Sequence, residues 1–198
     1  NFINRATKGV YELGSVFKTF TVAAGLEEGL INTDTEFLNL EKRLQCGKSS
    51  ISEYDNKIPS DLTVEQILIR SGNIGSVRIG QKLEIIKLKA FLEKIGILSK
   101  INFDIEEVGE PIPFKWGKCK LATVSFGHGI TTTPLQLAKA YAIISNGGFA
   151  VEPSLIKNEL KNYQKKKRII KAGISEKINP ILRKIVTTKE GTAGFVNI

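Results

Sequence analysis

The feature that most constrains this chain is Tyr11-Glu12-Leu13-Gly14-Ser15-Val16-Phe17-Lys18, which leads into an apolar run through Phe20, Val22, Ala23, Ala24 and Leu26. The run predicts a helix from about Ser15 to Glu28, with Gly29 as the residue that ends it. Three residues is almost one helical turn, so Ser15 and Lys18 share a face and their side chains can meet. Gly14 permits the sharp turn into the helix. A serine in the first turn sits among unpaired backbone N–H groups at the positive end of the helix dipole. A neutral lysine beside it could take the hydroxyl proton, and those N–H groups could stabilise an oxyanion. The same spacing also occurs on ordinary surface helices, where the serine is a cap and the lysine is solvated, so the rest of the chain decides its meaning.

The 198 residues are 41% hydrophobic and 25% charged, which suits one globular domain with a sizeable core. No apolar run reaches the length of a membrane span, and no signal peptide is visible. The chain contains no Met and opens at Asn1, so it is expected to be a piece of a longer protein, to which the missing span says little. The net charge of +9 reads as lysines spread over solvated faces. Its densest cluster, Lys165-Lys166-Lys167-Arg168, is expected in a loop and lacks the interleaved aromatic residues of a nucleic-acid platform. Cys46 and Cys119 form no metal set or C-x-x-C motif; they could pair in an oxidising compartment, but nothing in the sequence places them together, and a bond between them is not the expectation. His128 has no second histidine or carboxylate cluster near it, so no metal site is expected.

Along the chain, residues 1–10 read as an irregular lead-in, and Leu30 to Pro59 as loops with short strands. Thr63-Val64-Glu65-Gln66 is a capping-box pattern that opens a helix ending near Ser71-Gly72-Asn73. A short helix is expected from Ile74 to Leu83, and an amphipathic one through Ile85, Leu88, Phe91, Leu92 and Ile95, stopped at Gly96. Residues 99–120 read as irregular. Thr133-Pro134 starts a helix closed by Asn146-Gly147-Gly148. Phe149–Leu155 and Arg168–Lys171 are expected as strands flanking the lysine cluster, and Asn179-Pro180 as the start of a last helix.

Ser71-Gly72-Asn73 taken alone is a turn after a helix. Paired with Ser-x-x-Lys some fifty residues earlier, it makes two-thirds of the signature of penicillin-binding and serine β-lactamase sites. The segments from Asn4 to Lys18, from Arg70 to Gly75, and Ser125-Phe126-Gly127-His128-Gly129-Ile130 followed by Thr133-Pro134-Leu135-Gln136-Leu137-Ala138 hold this order over almost the whole chain. In that order and spacing the chain resembles the class B penicillin-binding proteins. Within them it is most like the septal, cell-division transpeptidase of Gram-negative bacteria, with the elongation-specific relative the nearest rival. The resemblance implies an α+β, penicillin-binding/serine β-lactamase-like transpeptidase fold, a helical subdomain on an antiparallel sheet, of which this chain would hold mostly the helical part. It implies Ser15 as acylated nucleophile, Lys18 as general base, Ser71 as proton relay and Asn73 as holder of the substrate amide. Glu12 and His128 join Asn73 as candidate substrate-binding residues, although a structural role is the simpler reading of each. The implied substrate is the D-Ala-D-Ala end of a peptidoglycan stem peptide, with β-lactams as mimics and no cofactor or metal. The implied setting is a parent anchored in the inner membrane by one helix, with this region in the periplasm and other divisome membrane proteins as partners.

The family's third motif, Lys-[Ser/Thr]-Gly, is missing. Lys189-Glu190-Gly191 puts a carboxylate where the substrate carboxylate would bind, and Val186 to Thr192 better fits the end of the helix before the motif strand. That strand is expected beyond Ile198, and the family's N-terminal anchor before Asn1. The family's oxyanion hole takes one N–H from the strand, and one such donor is worth on the order of 3–4 kcal/mol in the transition state, so the 198 residues alone are expected to acylate poorly. The competing readings are a serine β-lactamase, disfavoured by Gly72 within the second motif and by no evident deacylating Glu, and a degenerate penicillin-binding scaffold.

Overall fold

Ten consecutive residues, Lys18–Glu27, form a helix (α1) in which every residue is buried. An element with no polar face must lie at the centre of a fold, since any side open to water would forfeit its burial. The computed structural model describes residues 2–157 and 167–196. In chain order the other elements are β1 (Tyr11–Glu12), β2 (Glu36–Phe37), β3 (Arg43–Cys46), β4 (Ser49–Ser52), β5 (Leu62–Thr63), α2 (Val64–Ile69), α3 (Asn73–Lys94), α4 (Lys118–Val124), β6 (Thr131–Thr132), α5 (Pro134–Ser145) and α6 (Ala172–Thr187). α1 packs along α3 and meets α2 and α6, while α4 braces α3 and α5 braces α6. Three two-stranded antiparallel sheets pin the periphery, β1 with β6, β2 with β5 and β3 with β4. The result is the helix-rich α+β arrangement that the sequence led us to expect.

Local signals placed several of these elements correctly. The helix that carries α1 begins with a 3-10 turn at Gly14–Phe17, and Gly29, at φ +68°, ends it. Thr63 and Gln66 form the expected reciprocal cap on α2, with Gln66 N–H donating to Thr63 Oγ1 at 3.2 Å and Thr63 N–H donating to Gln66 Oε1 at 2.9 Å. Thr63→Ala is therefore expected to lower stability by about 1 kcal/mol, and Thr63→Ser to leave it nearly unchanged, in a denaturant titration. Thr133 caps α5 with Pro134 at its start. The two helices expected between Ile74 and Ile95 are the halves of α3, separated by a non-helical residue, Glu84, at φ 60° and ψ 172°.

Four expectations are corrected. α4 occupies the end of a region read as irregular, where Leu121, Ala122 and Val124 turn into the core. α6 begins at Ala172 and runs through Pro180, which sits exposed inside it. Three buried isoleucines on one face, Ile174, Ile178 and Ile181, stabilise α6 by about 1.5–3 kcal/mol each and outweigh the roughly 3 kcal/mol a helical proline costs. Phe149–Leu155 and Arg168–Lys171 are not strands. They meet only in a single bridge between Phe149 and Arg168, with Pro153 unable to donate to a longer ladder. Lys165 and Lys166 of the basic cluster lie outside the described residues. Finally, Cys46 and Cys119 are bonded to each other, with their Cα atoms 5.3 Å apart, and the bond joins β3 to α4.

Candidate active site

The turn that presents Ser15 is held from several directions. Gly14 adopts φ +57°, and its N–H donates to the Gly127 carbonyl at 3.0 Å. Gly127, at φ +91°, packs so closely that a Cβ there would lie 1.8 Å from the Gly14 carbonyl oxygen, so only glycine allows the two loops to meet. Leu13 N–H donates to the Ile130 carbonyl at 3.1 Å beside the β1–β6 pair. From α5, the Tyr141 hydroxyl donates to the Val16 carbonyl at 2.7 Å, and burial raises its pKa. Ser15 itself remains exposed at the mouth of a cleft.

One turn later, Lys18 is buried, with 1% of its surface exposed. Its Nζ donates to Ser15 Oγ at 3.2 Å, to Ser71 Oγ at 2.8 Å and to the Ser71 carbonyl at 2.5 Å. These three acceptors use the three donors of an ammonium, and a neutral amine would instead offer its lone pair to one of the hydroxyls. Burial lowers the Lys18 pKa from its ordinary 10.5 to about 8, against the nearby Glu53 carboxylate, which raises it. On the order of a tenth of the molecules would then carry the neutral amine at pH 7, far more than for a solvated lysine. Ser71, buried and at φ 55°, holds a left-handed conformation that costs a residue with a side chain about 1–3 kcal/mol. The chain thus stores strain where it brings a second hydroxyl onto the lysine.

The cleft has a volume of about 400 Å³ and is lined by Ser15, Glu12, Tyr54, Asn73, Phe126 and His128, together with Gly14. Asn73 is fixed through Nδ2, which donates to the Ser52 carbonyl at 2.9 Å. Glu12 and His128 are paired, with Nδ1 and Oε1 2.8 Å apart, and the Gly129 N–H also donates to Glu12. His128 stacks nearly parallel on Phe126. All six sequence-predicted residues therefore converge: Ser15, Lys18 and Ser71 around one nitrogen, and Asn73, Glu12 and His128 on the cleft walls. Lys189-Glu190-Gly191 lies in turns after α6, where Glu190 pairs with Arg70 at 2.7 Å, and forms no strand. Among the described residues no group of three or more His, Cys, Asp or Glu side chains could hold a metal ion, and no helix is long and apolar enough to cross a membrane.

Compared with known proteins, residues 1–197 match the family described as the penicillin binding protein transpeptidase domain. This chain belongs to that family. Its relatives include a probable peptidoglycan D,D-transpeptidase FtsI of Caulobacter vibrioides, 29% identical over 97% of this chain and 32% of the relative. Another is the peptidoglycan D,D-transpeptidase FtsI of Buchnera aphidicola, 30% identical over 86% of this chain and 30% of the relative. The chain spans about a third of the length of these relatives. The fold is shared with the apo transpeptidase domain of Burkholderia pseudomallei penicillin-binding protein 3, at a TM-score of 0.86 and 22% identity over 96% of this chain and 58% of that one. It is shared also with a peptidoglycan glycosyltransferase from Burkholderia ambifaria, at 0.89 and 21% over 98% and 61%.

In this penicillin-binding domain two site residues escaped the sequence reading, Tyr54, which lines the cleft, and Glu53, which caps α3. Glu53 accepts from Asn73 N–H at 2.6 Å and from Ile74 N–H at 2.9 Å, capping α3 with a carboxylate from outside the helix. It therefore anchors the turn that carries Ser71 and Asn73, and it is the carboxylate that opposes the lowering of the Lys18 pKa. Nothing local marks it, because it lies twenty residues upstream in a polar loop. Glu53→Ala is expected to cost about 1–2 kcal/mol in a denaturant titration. It should also move the Lys18 titration, followed by NMR, to a pH below the wild-type value of about 8. An unchanged Lys18 titration would show that the carboxylate acts on the turn alone.

Proposed function

We propose that this chain is the nucleophile-bearing part of a peptidoglycan D,D-transpeptidase of the septal, cell-division type. The observation that carries the reading is the contact of one buried lysine nitrogen with the hydroxyls of both Ser15 and Ser71. In the neutral state Lys18 accepts the Ser15 proton as Oγ attacks the carbonyl of the penultimate D-Ala. The tetrahedral intermediate collapses to an ester on Ser15, and the terminal D-Ala leaves with a proton relayed through Ser71. The amine of a neighbouring stem peptide then attacks the ester, gives up its proton along the same route, and releases the cross-linked product with Ser15 restored. Asn73 holds the substrate amide, and Glu12 with His128 shapes the cleft wall. The Ser15 N–H supplies one oxyanion donor.

A β-lactam would be opened by the same attack and remain on Ser15. The parent protein is taken to be anchored in the inner membrane with this region in the periplasm, among other divisome membrane proteins. The Cys46–Cys119 bond suits that oxidising compartment. The test is to incubate the intact protein with penicillin and map the adduct by mass spectrometry, alongside D-Ala release from a D-Ala-D-Ala peptide. A stable adduct on Ser15 with D-Ala release is expected. Rapid penicillin hydrolysis without D-Ala release would identify a β-lactamase, and neither activity would identify a scaffold.

A further inference from the structure

A second groove adjoins the Ser15 cleft at Asn73. Asn73, Phe126 and His128, which wall the Ser15 cleft, also form the near side of this groove of about 550 Å³. Its far side is made by Ser49, Ser50 and Ser52 on β4 and by Lys120 and Thr123 on α4. The Cys46–Cys119 disulfide joins the two elements and itself lines the groove. A volume of this size falls within the range of built ligand sites. The lining includes a lysine and no Asp or Glu.

Lys120 is held in place without being neutralised. Its Nζ donates to the Gly129 carbonyl at 2.5 Å and lies 4.3 Å from the centroid of the Phe114 ring. Among the described residues no carboxylate forms an ion pair with it. An ammonium has three donors, so after Gly129 two remain for a ligand. A fixed cation with free donors, in a groove whose lining includes Ser49, Ser50, Ser52 and Thr123 and no carboxylate, is complementary to a carboxylate.

We propose that this groove is the subsite for a carboxylate-bearing stretch of the peptide substrate, with Lys120 as its charge partner and Ser49, Ser50 and Thr123 as hydrogen-bond donors. The inference rests on the transpeptidase reading for the identity of the peptide. A peptide whose reacting end lies at Ser15 passes Asn73 and continues into the groove, so Lys120 selects among peptides by the charge of residues remote from the scissile bond.

The test measures binding rather than turnover. The intact protein carrying Ser15→Ala is titrated with two D-Ala-D-Ala peptides that differ only in one internal side chain, a carboxylate in one and a carboxamide in the other. The carboxylate peptide should bind about tenfold tighter, and the preference should shrink as salt is raised. Lys120→Gln should erase the preference while leaving the carboxamide peptide within about twofold. Because Lys120 also supports the Gly129 loop, Ser50→Asp on β4 is the second variant, and should weaken the carboxylate peptide more than the carboxamide peptide. Equal binding of the two peptides by the parent, or a parallel loss of both in the variants, would overturn the subsite. Penicillin labelling of wild-type Ser15 decides the transpeptidase reading separately.

Discussion

Lys18→Met in the intact protein is expected to slow acylation by penicillin by about 10²–10⁴-fold, the usual range for losing a positioned general base. The same change should alter folding stability by no more than about 3 kcal/mol, because two opposed effects meet at this site. A lysine whose folded pKa is about 8 against an ordinary 10.5 destabilises the folded state whenever it must be protonated. Between pH 10.5 and 8 the unfolded chain binds the proton and the folded one does not, so stability falls as pH falls through that window. Below pH 8 the penalty is complete, at roughly 3 kcal/mol. Methionine removes that penalty, yet it leaves the Ser71 carbonyl and hydroxyl without the Nζ donor, at about 1–3 kcal/mol for each group left unsatisfied.

Two pH profiles therefore distinguish the variant from the parent. The parent's acylation rate should rise with pH through about 8, as the neutral amine becomes available. Its stability should rise between pH 8 and 10.5, where the variant's contribution from this position is flat. An acylation rate in the parent that is level across pH 7–9 would show that Lys18 is not the group accepting the proton.

Replacing both Cys46 and Cys119 by serine, or reducing their bond, is expected to lower stability by about 2–4 kcal/mol. The bond closes a loop with a sequence separation of 73 residues, and for a loop of that length the chain-entropy cost removed from the unfolded state is about 4 kcal/mol. For a domain of about this size the melting temperature should fall by roughly 5–15 °C. Paired melts with and without reductant, repeated on the double serine variant, make the measurement. A melt insensitive to reductant would mean that the hairpin of β3 and β4 is held to α4 by packing alone. The loss should be felt at the groove first, because the cysteines form part of its lining.

What the chain reveals in sequence is what neighbouring residues can settle between themselves. Ser15 and Lys18 meet because one helical turn brings them together, and Thr63 with Gln66, or Thr133 with Pro134, set helix starts within four residues. The left-handed Gly14 and Gly29 follow from the same short-range geometry. The order of the Ser15, Ser71 and Gly127 segments was legible for another reason, as each carries a motif whose spacing matches a known family.

The remaining features belong to the tertiary structure alone. Burial of Lys18 down to 1% exposure sets its pKa, and that burial is the joint effect of packing around α1 that no local pattern specifies. Glu53 reaches the start of α3 from twenty residues away, and Cys46 reaches Cys119 from 73 residues away. α6 continues through Pro180 because its isoleucine face finds a core to pack on, a gain invisible in the helix read by itself. Local preferences act over one turn and amount to about 1 kcal/mol apiece. Contacts between distant segments form only once the chain has closed its loops around the core, and it is these contacts that make an ordinary serine and lysine into a candidate nucleophile and base.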